Sequence, residues 1–312
     1  MSRMEFVIGC LCLLLVLAAA PDVLAQTPAI SPARVKARKE LGQLGVEYSK
    51  SSFVKQASEG DTIAVQLFLA AGMDPNVYDE ASGGNALMTA ARGGHLETVS
   101  VLLAGGANPK GNTAVILATR LDVLKLLLDH GADVNIGRLG GHTALAAATG
   151  TGDVARLKLL LERGADVNAK DYNGRTVLMM AVEAAIFSRT QHNEESVRQL
   201  MDIVQMFLMS KADVNAKDKY GRTALLSAAG NGAVDMVRIL LDQGADVNAS
   251  DKDENTALTH AVRGGYTDLV KILLAKGADV NAGPATRTPL SLAAALNKTD
   301  IVQLLINAGA KQ

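Results

Sequence analysis

The chain's five histidines, at positions 95, 130, 142, 192 and 260, could serve acid–base or metal chemistry, but they show neither metal-ligand spacing nor a paired nucleophile. Three short stretches imitate ligand sites. Gly106 to Thr113 has the glycine spacing of a phosphate loop, yet Asn112 stands where a lysine must reach the phosphates. Gly150-Thr-Gly152 before Asp153 falls at a turn between helices, where glycines end a helix and do not cradle a dinucleotide. Asp251-Lys-Asp253-Glu-Asn255 opens like a calcium loop, but Thr256 replaces the required glycine and Val262 the closing glutamate. No catalytic residue, cofactor or metal is therefore assigned, and the chain is not expected to be an enzyme. Recognition chemistry is better represented. Aromatic residues make up only 3% of the chain, yet Tyr172 and Tyr220 lie in two similar pentads, Asp171-Tyr-Asn-Gly-Arg175 and Asp218-Lys-Tyr-Gly-Arg222. Tyrosine and arginine are the residue types that most often dominate binding energy at protein interfaces.

The elements that position these pentads are set by a repeat. Gly-Ala-Asp-Val-Asn occurs intact at 131–135, 164–168, 244–248 and 277–281, and at 211–215 with Lys211 in place of glycine. Units of about 33 residues cannot bury their apolar faces alone and must stack on one another. Thr143 to Gly164, Thr223 to Gly244, Thr256 to Gly277 and Thr288 to Gly309 each span 21 residues, and Asn85 to Gly106 and Ser51 to Gly72 follow the same spacing. With irregular units around Thr113 and Thr176, the count is eight.

Within a unit, Thr223 is placed to N-cap a first helix that Gly230 and Gly232 end. Asp235 falls in the first turn of the second helix, with Val237, Ile239, Leu240 and Leu241 as its apolar surface. The turn-rich link to the next unit predicts a β-hairpin finger.

Thr288-Pro289-Leu290, Ala90-Ala91, Gly94-His95, Leu126-Leu127-Leu128 and the recurring tag together resemble the ankyrin repeat pattern over roughly residues 51–312. The resemblance implies an all-α repeat solenoid of stacked helix-turn-helix units with short β-hairpin fingers. It also implies a non-enzymatic interaction scaffold that binds a protein partner through finger tips and inner helices. Mapped onto this chain, that surface comprises Tyr172, Asn173, Arg175, Lys219, Tyr220, Arg222, Lys252, Asp253, Arg263 and Arg287, and its basic residues favour an acidic patch on the partner. The family histidine after leucine is replaced by Met88, Ala146, Met179, Leu226, Thr259 and Ser291, which predicts weaker hydrogen bonding near the fingers.

Two repeats depart from the spacing. Thr113 to Gly131 is 18 residues, predicting a shortened finger and a tightened inter-helix turn; Thr176 to Lys211 is 35, an insertion of about 14 residues near 184–200. Asn193 before Glu194 and Glu195 is a helix start, so both helices of that repeat are expected to lengthen and protrude opposite the fingers. The insertion reads either as a tolerated surface feature or as part of a binding face.

Residues 1–25 carry Arg3, an apolar run from Phe6 to Ala20 and a small-residue site after Ala25, the pattern of a cleaved signal peptide; the run is shorter than the roughly 20 residues that span a membrane. A periplasmic or secreted protein with no stable membrane anchor after cleavage is expected, monomeric, with a leader and capping helix over 26–50. An envelope partner suits retention in the periplasm; a secreted effector that occupies a host protein is the alternative. Both cysteines, Cys10 and Cys12, fall within the signal, so no disulfide is expected in the remainder. Of 31 basic and 32 acidic residues, Arg3, Glu5 and Asp22 also lie there, so the remainder carries 30 of each and no nucleic-acid partner is expected.

Overall fold

The computed structural model describes residues 31–138, 140–283 and 287–311. The expected signal segment lies outside the described residues. The first element, α1 (Pro32–Gln43), starts on the Ser31 hydroxyl, with proline at its first position. Of its apolar residues Leu41 is buried, together with Ala37, while Val35 and Leu44 are exposed. The reason is helical phase. Ala37 and Leu41 are four apart on one face, whereas Val35 is six residues from Leu41 and Leu44 lies past the helix end.

Eight helix pairs follow among the described residues: α2 (Lys50–Glu59) with α3 (Thr62–Ala70), α4 (Ala86–Gly93) with α5 (Leu96–Ala104), α6 (Ala114–Leu117) with α7 (Leu121–Asp129), α8 (Ala144–Thr151) with α9 (Val154–Glu162), α10 (Val177–Thr190) with α11 (Glu194–Met209), α12 (Ala224–Gly230) with α13 (Val234–Asp242), α14 (Ala257–Gly264) with α15 (Thr267–Ala275), and α16 (Pro289–Ala295) with α17 (Thr299–Asn307). Threonine starts most first helices: Thr143, Thr176, Thr223, Thr256 and Thr288 each accept the backbone N–H three residues on. In α14, Thr259 stands where the family has histidine, and its hydroxyl accepts the Thr256 N–H at 2.8 Å, completing a capping box. The weaker bonding predicted there does not occur, because a hydroxyl replaces the lost imidazole.

Small residues line the first helices and branched aliphatics the second, so layers approach closely. Ala90, Ala148, Ala228, Ala261 and Ala293 are buried on the former, and Leu102, Leu127, Leu160, Leu240, Leu273 and Leu305 on the latter. Phe53 and Phe68 fill the first repeat, 5.3 Å apart between ring centroids, and Tyr48 stacks on Phe68 at 5.6 Å.

Polar bonds add to this stacking at the tag asparagines. Asn168 donates Nδ2 to the Lys211 carbonyl at 3.2 Å and accepts the Asp213 N–H at 2.7 Å. Asn76, Asn135, Asn215 and Asn248 make the same pair of bonds to their next repeats. Lys110 occupies that position in the tag at 106–110, where a lysine has no acceptor to offer a backbone N–H.

The fifth repeat carries helices of 14 and 16 residues, where the flanking pairs have 8 and 9 or 7 and 9. Asn193 caps α11 by accepting the Ser196 N–H. Arg189 donates to the Gly232 carbonyl and Gln199 to the Gly152 carbonyl, both in inter-helix turns of neighbouring repeats. The lengthened helices therefore rise past those turns, on the side away from the fingers.

The third repeat differs from its expected form. Its missing residues are taken from the first helix, since α6 is a single turn and Ala118 leaves the helix at φ −55°, ψ 118°. Thr119 N–H then bonds across to the Ala91 carbonyl of the preceding repeat.

Candidate functional site

Regular antiparallel strands form in two fingers among the described residues, β1 (Tyr78–Asp79) with β2 (Gly84–Asn85) and β3 (Gly137–Arg138) with β4 (His142–Thr143). The two tyrosine-bearing fingers are tight loops folded around an aspartate. Asp171 accepts the N–H of Asn173 at 2.8 Å and of Arg175 at 2.9 Å on Oδ1, and the Arg175 guanidinium on Oδ2 at 2.9 Å. Asp218 repeats this with Tyr220, Arg222 and the Arg222 guanidinium. In the next finger Asp251 accepts the N–H of Asp253 and of Asn255, and the Asn255 amide replaces the guanidinium. Burial pushes the Asp171 carboxyl upward, but bonds from the Arg175 backbone, its side chain and the Asn173 backbone outweigh it, and the pKa lies below the ordinary value. Asp251 lies low for the same balance, with Asn255 and Asp253 as donors.

The fingers are joined to one another. Tyr172 N–H donates to Gly140 O, Lys219 N–H to Asn173 O and Lys252 N–H to Tyr220 O, at 2.8 to 2.9 Å. Lys170 and Lys217 reach forward to the carbonyls of Lys217 and Ser250. This close approach needs glycine: a Cβ on Gly174 or Gly221, at φ 78° and 77°, would come within 3.1 or 3.0 Å of the next finger's backbone.

The candidate residues fall into two groups. Tyr172, Lys219, Tyr220, Lys252 and Asp253 are exposed on the finger tips, and Asn173 is half-buried there, its carbonyl committed to the next finger. Tyr172 packs edge-on against His142 at 6.4 Å, while Arg222 lies over the Tyr220 ring at 4.9 Å. Arg175, Arg222 and Arg263 are instead braces. Arg175 bridges Asp171 and Glu183, Arg222 pairs with Asp218, and Arg263 donates to Asn255. Arg287 is exposed just beyond the undescribed residues 284–286, at the head of the last repeat.

Sequence reasoning missed the lysine ladder at 170 and 217, the exposed Arg138 and His142, and a hollow beside α6. The Lys at 170 and 217 directly before each pentad aspartate was the available signal for the ladder. Below the tips, Glu183, Ile186, Leu226, Ser227, Asn231 and His260 line a shallow hollow of about 370 Å³ on the inner helices. Among the described residues no group of three or more His, Cys, Asp or Glu is placed to hold a metal ion, and no helix is long and apolar enough to cross a membrane.

The sequence matches the family of ankyrin repeats (3 copies) at residues 54–138, 121–202, 193–284 and 251–312, and the chain belongs to that family. Ankyrin repeats are generally non-enzymatic protein–protein interaction modules. The chain is also similar to an ankyrin repeat-containing protein of Treponema pallidum (strain Nichols), 32% identical over 126 residues that make up 38% of this chain and 42% of that protein.

Proposed function

We propose that this protein is an exported binding scaffold of the periplasm or extracellular space, holding an acidic surface of a protein partner against its finger rim and inner helices. One observation carries the reading. The finger aspartates Asp171, Asp218 and Asp251 are turned inward and bonded within their own fingers, while Arg138, Lys170, Lys217, Lys219 and Lys252 face solvent beside Tyr172 and Tyr220. Asp253 and Glu254 are the exposed carboxylates of the third of these fingers. The rim is thus basic although the chain is nearly neutral, and its inter-finger bonds fix it before a partner arrives. Such preorganisation lowers the ordering cost of association. The compartment rests on the signal-like pattern of residues 1–25.

The test is affinity capture from cell-envelope extract, with Tyr172, Lys219, Tyr220 and Lys252 replaced by alanine. Among the described residues these side chains make no hydrogen bond within or between fingers, so the variant should retain its circular dichroism and lose the captured protein, which should also elute from wild type with moderate salt. Equal capture by the folded variant rejects the finger rim. N-terminal sequencing of the exported product should begin at Gln26; a product starting at Met1 rejects export through this segment.

A further inference from the structure

The third repeat leaves a gap in the inner wall. α6 stops after one turn, where the other first helices run to seven residues or more. A hollow of about 750 Å³ opens between α6, the β3–β4 finger and the first half of α8, lined by Thr113, Ile116, Leu117, Gly137, Arg138, His142 and Ala147. Ile116 and Leu117 are only half-buried and Ala147 is exposed on α8, so the floor is aliphatic. Arg138 and His142 form the rim, no carboxylate lines it, and among the described residues Arg138 makes no ion pair. His142 touches Tyr172 edge-on, which places the hollow next to the finger rim described above.

We propose that this hollow is an anchor pocket for an aliphatic side chain flanked by carboxylates on the protein partner. The proposal rests on the reading that the finger rim takes an acidic surface, and it adds which residue of that surface is read most strongly. Charge alone gives attraction and faster encounter with many acidic proteins; an apolar side chain removed from water at one fixed place supplies selectivity. The cation at Arg138 then meets the flanking carboxylates while the floor of Ile116, Leu117 and Ala147 takes the aliphatic group.

The test uses acetylated, amidated pentapeptides and NMR titration of the purified protein at low salt. Glu-Glu-Leu-Glu-Glu should bind on the order of tenfold more tightly than Glu-Glu-Ser-Glu-Glu, the size expected for partly burying one leucine. Ala147→Phe places a ring in the hollow from an exposed helical position, and unchanged circular dichroism checks that the variant folds. In that variant the leucine preference should vanish while affinity for the serine peptide stays. Equal binding of the two acidic peptides to wild type, or an unchanged preference in Ala147→Phe, overturns the anchor pocket and leaves the basic rim standing. Equal binding of Gln-Gln-Leu-Gln-Gln, or no binding of either acidic peptide at about 1 mM, overturns the rim and this proposal with it.

Discussion

At the scale of single residues, His260 shows how a candidate catalytic group becomes a structural one. It stands on α14 with its ring 23% exposed and Nε2 3.6 Å from Asp251 Oδ2. Burial lowers its pKa, and the attraction of Asp251, opposed by Arg263, does not restore it. The imidazole therefore resists protonation more in the folded state than in the unfolded one. As pH falls through the ordinary histidine value of about 6.5, the unfolded chain binds the proton first, so stability falls until the folded form is protonated too. His260→Gln should flatten the dependence of unfolding free energy on pH across that interval in urea titrations. A variant that loses as much stability as wild type there assigns the effect to other groups. Arg175 and Arg222 teach a related point. The Asp-x-x-x-Arg spacing of their pentads already placed each guanidinium within reach of an aspartate four residues earlier, so the sequence contained the bracing role as well as the exposed one. Only the side-chain bonds separate the two.

At the scale of elements, the repeat period carried most of what could be read in advance. The paired helices, the threonine caps and the lengthened α10 and α11 all follow from spacing and cap chemistry, because each is fixed within one unit. The third repeat was less legible. Three residues lost between Thr113 and Gly131 can come from a turn or from a helix, and they come from the helix, which the chain leaves at Ala118. The same comparison of units makes Lys211 informative. It occupies the position after α11 where glycine stands at 131, 164, 244 and 277, and it adopts φ 65°. A left-handed conformation costs a non-glycine residue about 1–2 kcal/mol, part of which glycine returns through its looser unfolded chain. Lys211→Gly should raise stability by roughly 0.5–1 kcal/mol. Its backbone carbonyl, which accepts from Asn168, is kept. An unchanged or lowered urea midpoint would show that the lysine side chain stabilises the turn by contacts outweighing the strain.

At the scale of the whole molecule, stability is a sum over neighbouring repeats, so cooperativity is set by the weakest junction. The junction whose tag lacks the closing asparagine lies between the second and third repeats. There Lys110 replaces the bridging asparagine, and α6 offers one turn of packing where the other first helices offer about two or more. On its amino-terminal side stand α1 and two repeats around Tyr48, Phe53 and Phe68; on the other stand six repeats, the third to the seventh of them linked by the bridges of Asn135, Asn168, Asn215 and Asn248. The smaller block has fewer interfaces and should unfold first. The chain has no tryptophan, so a single introduced one reports locally. Tyr48→Trp should give a lower urea midpoint than Tyr266→Trp. Adding Lys110→Asn restores an acceptor for the third repeat's Asp133 N–H and a donor for the Gly131 carbonyl, worth on the order of 1 kcal/mol per bond. The two midpoints should then draw together. Midpoints that coincide before Lys110→Asn is introduced would mean that aliphatic stacking alone couples the array across this junction, and that the missing bridge has no thermodynamic consequence.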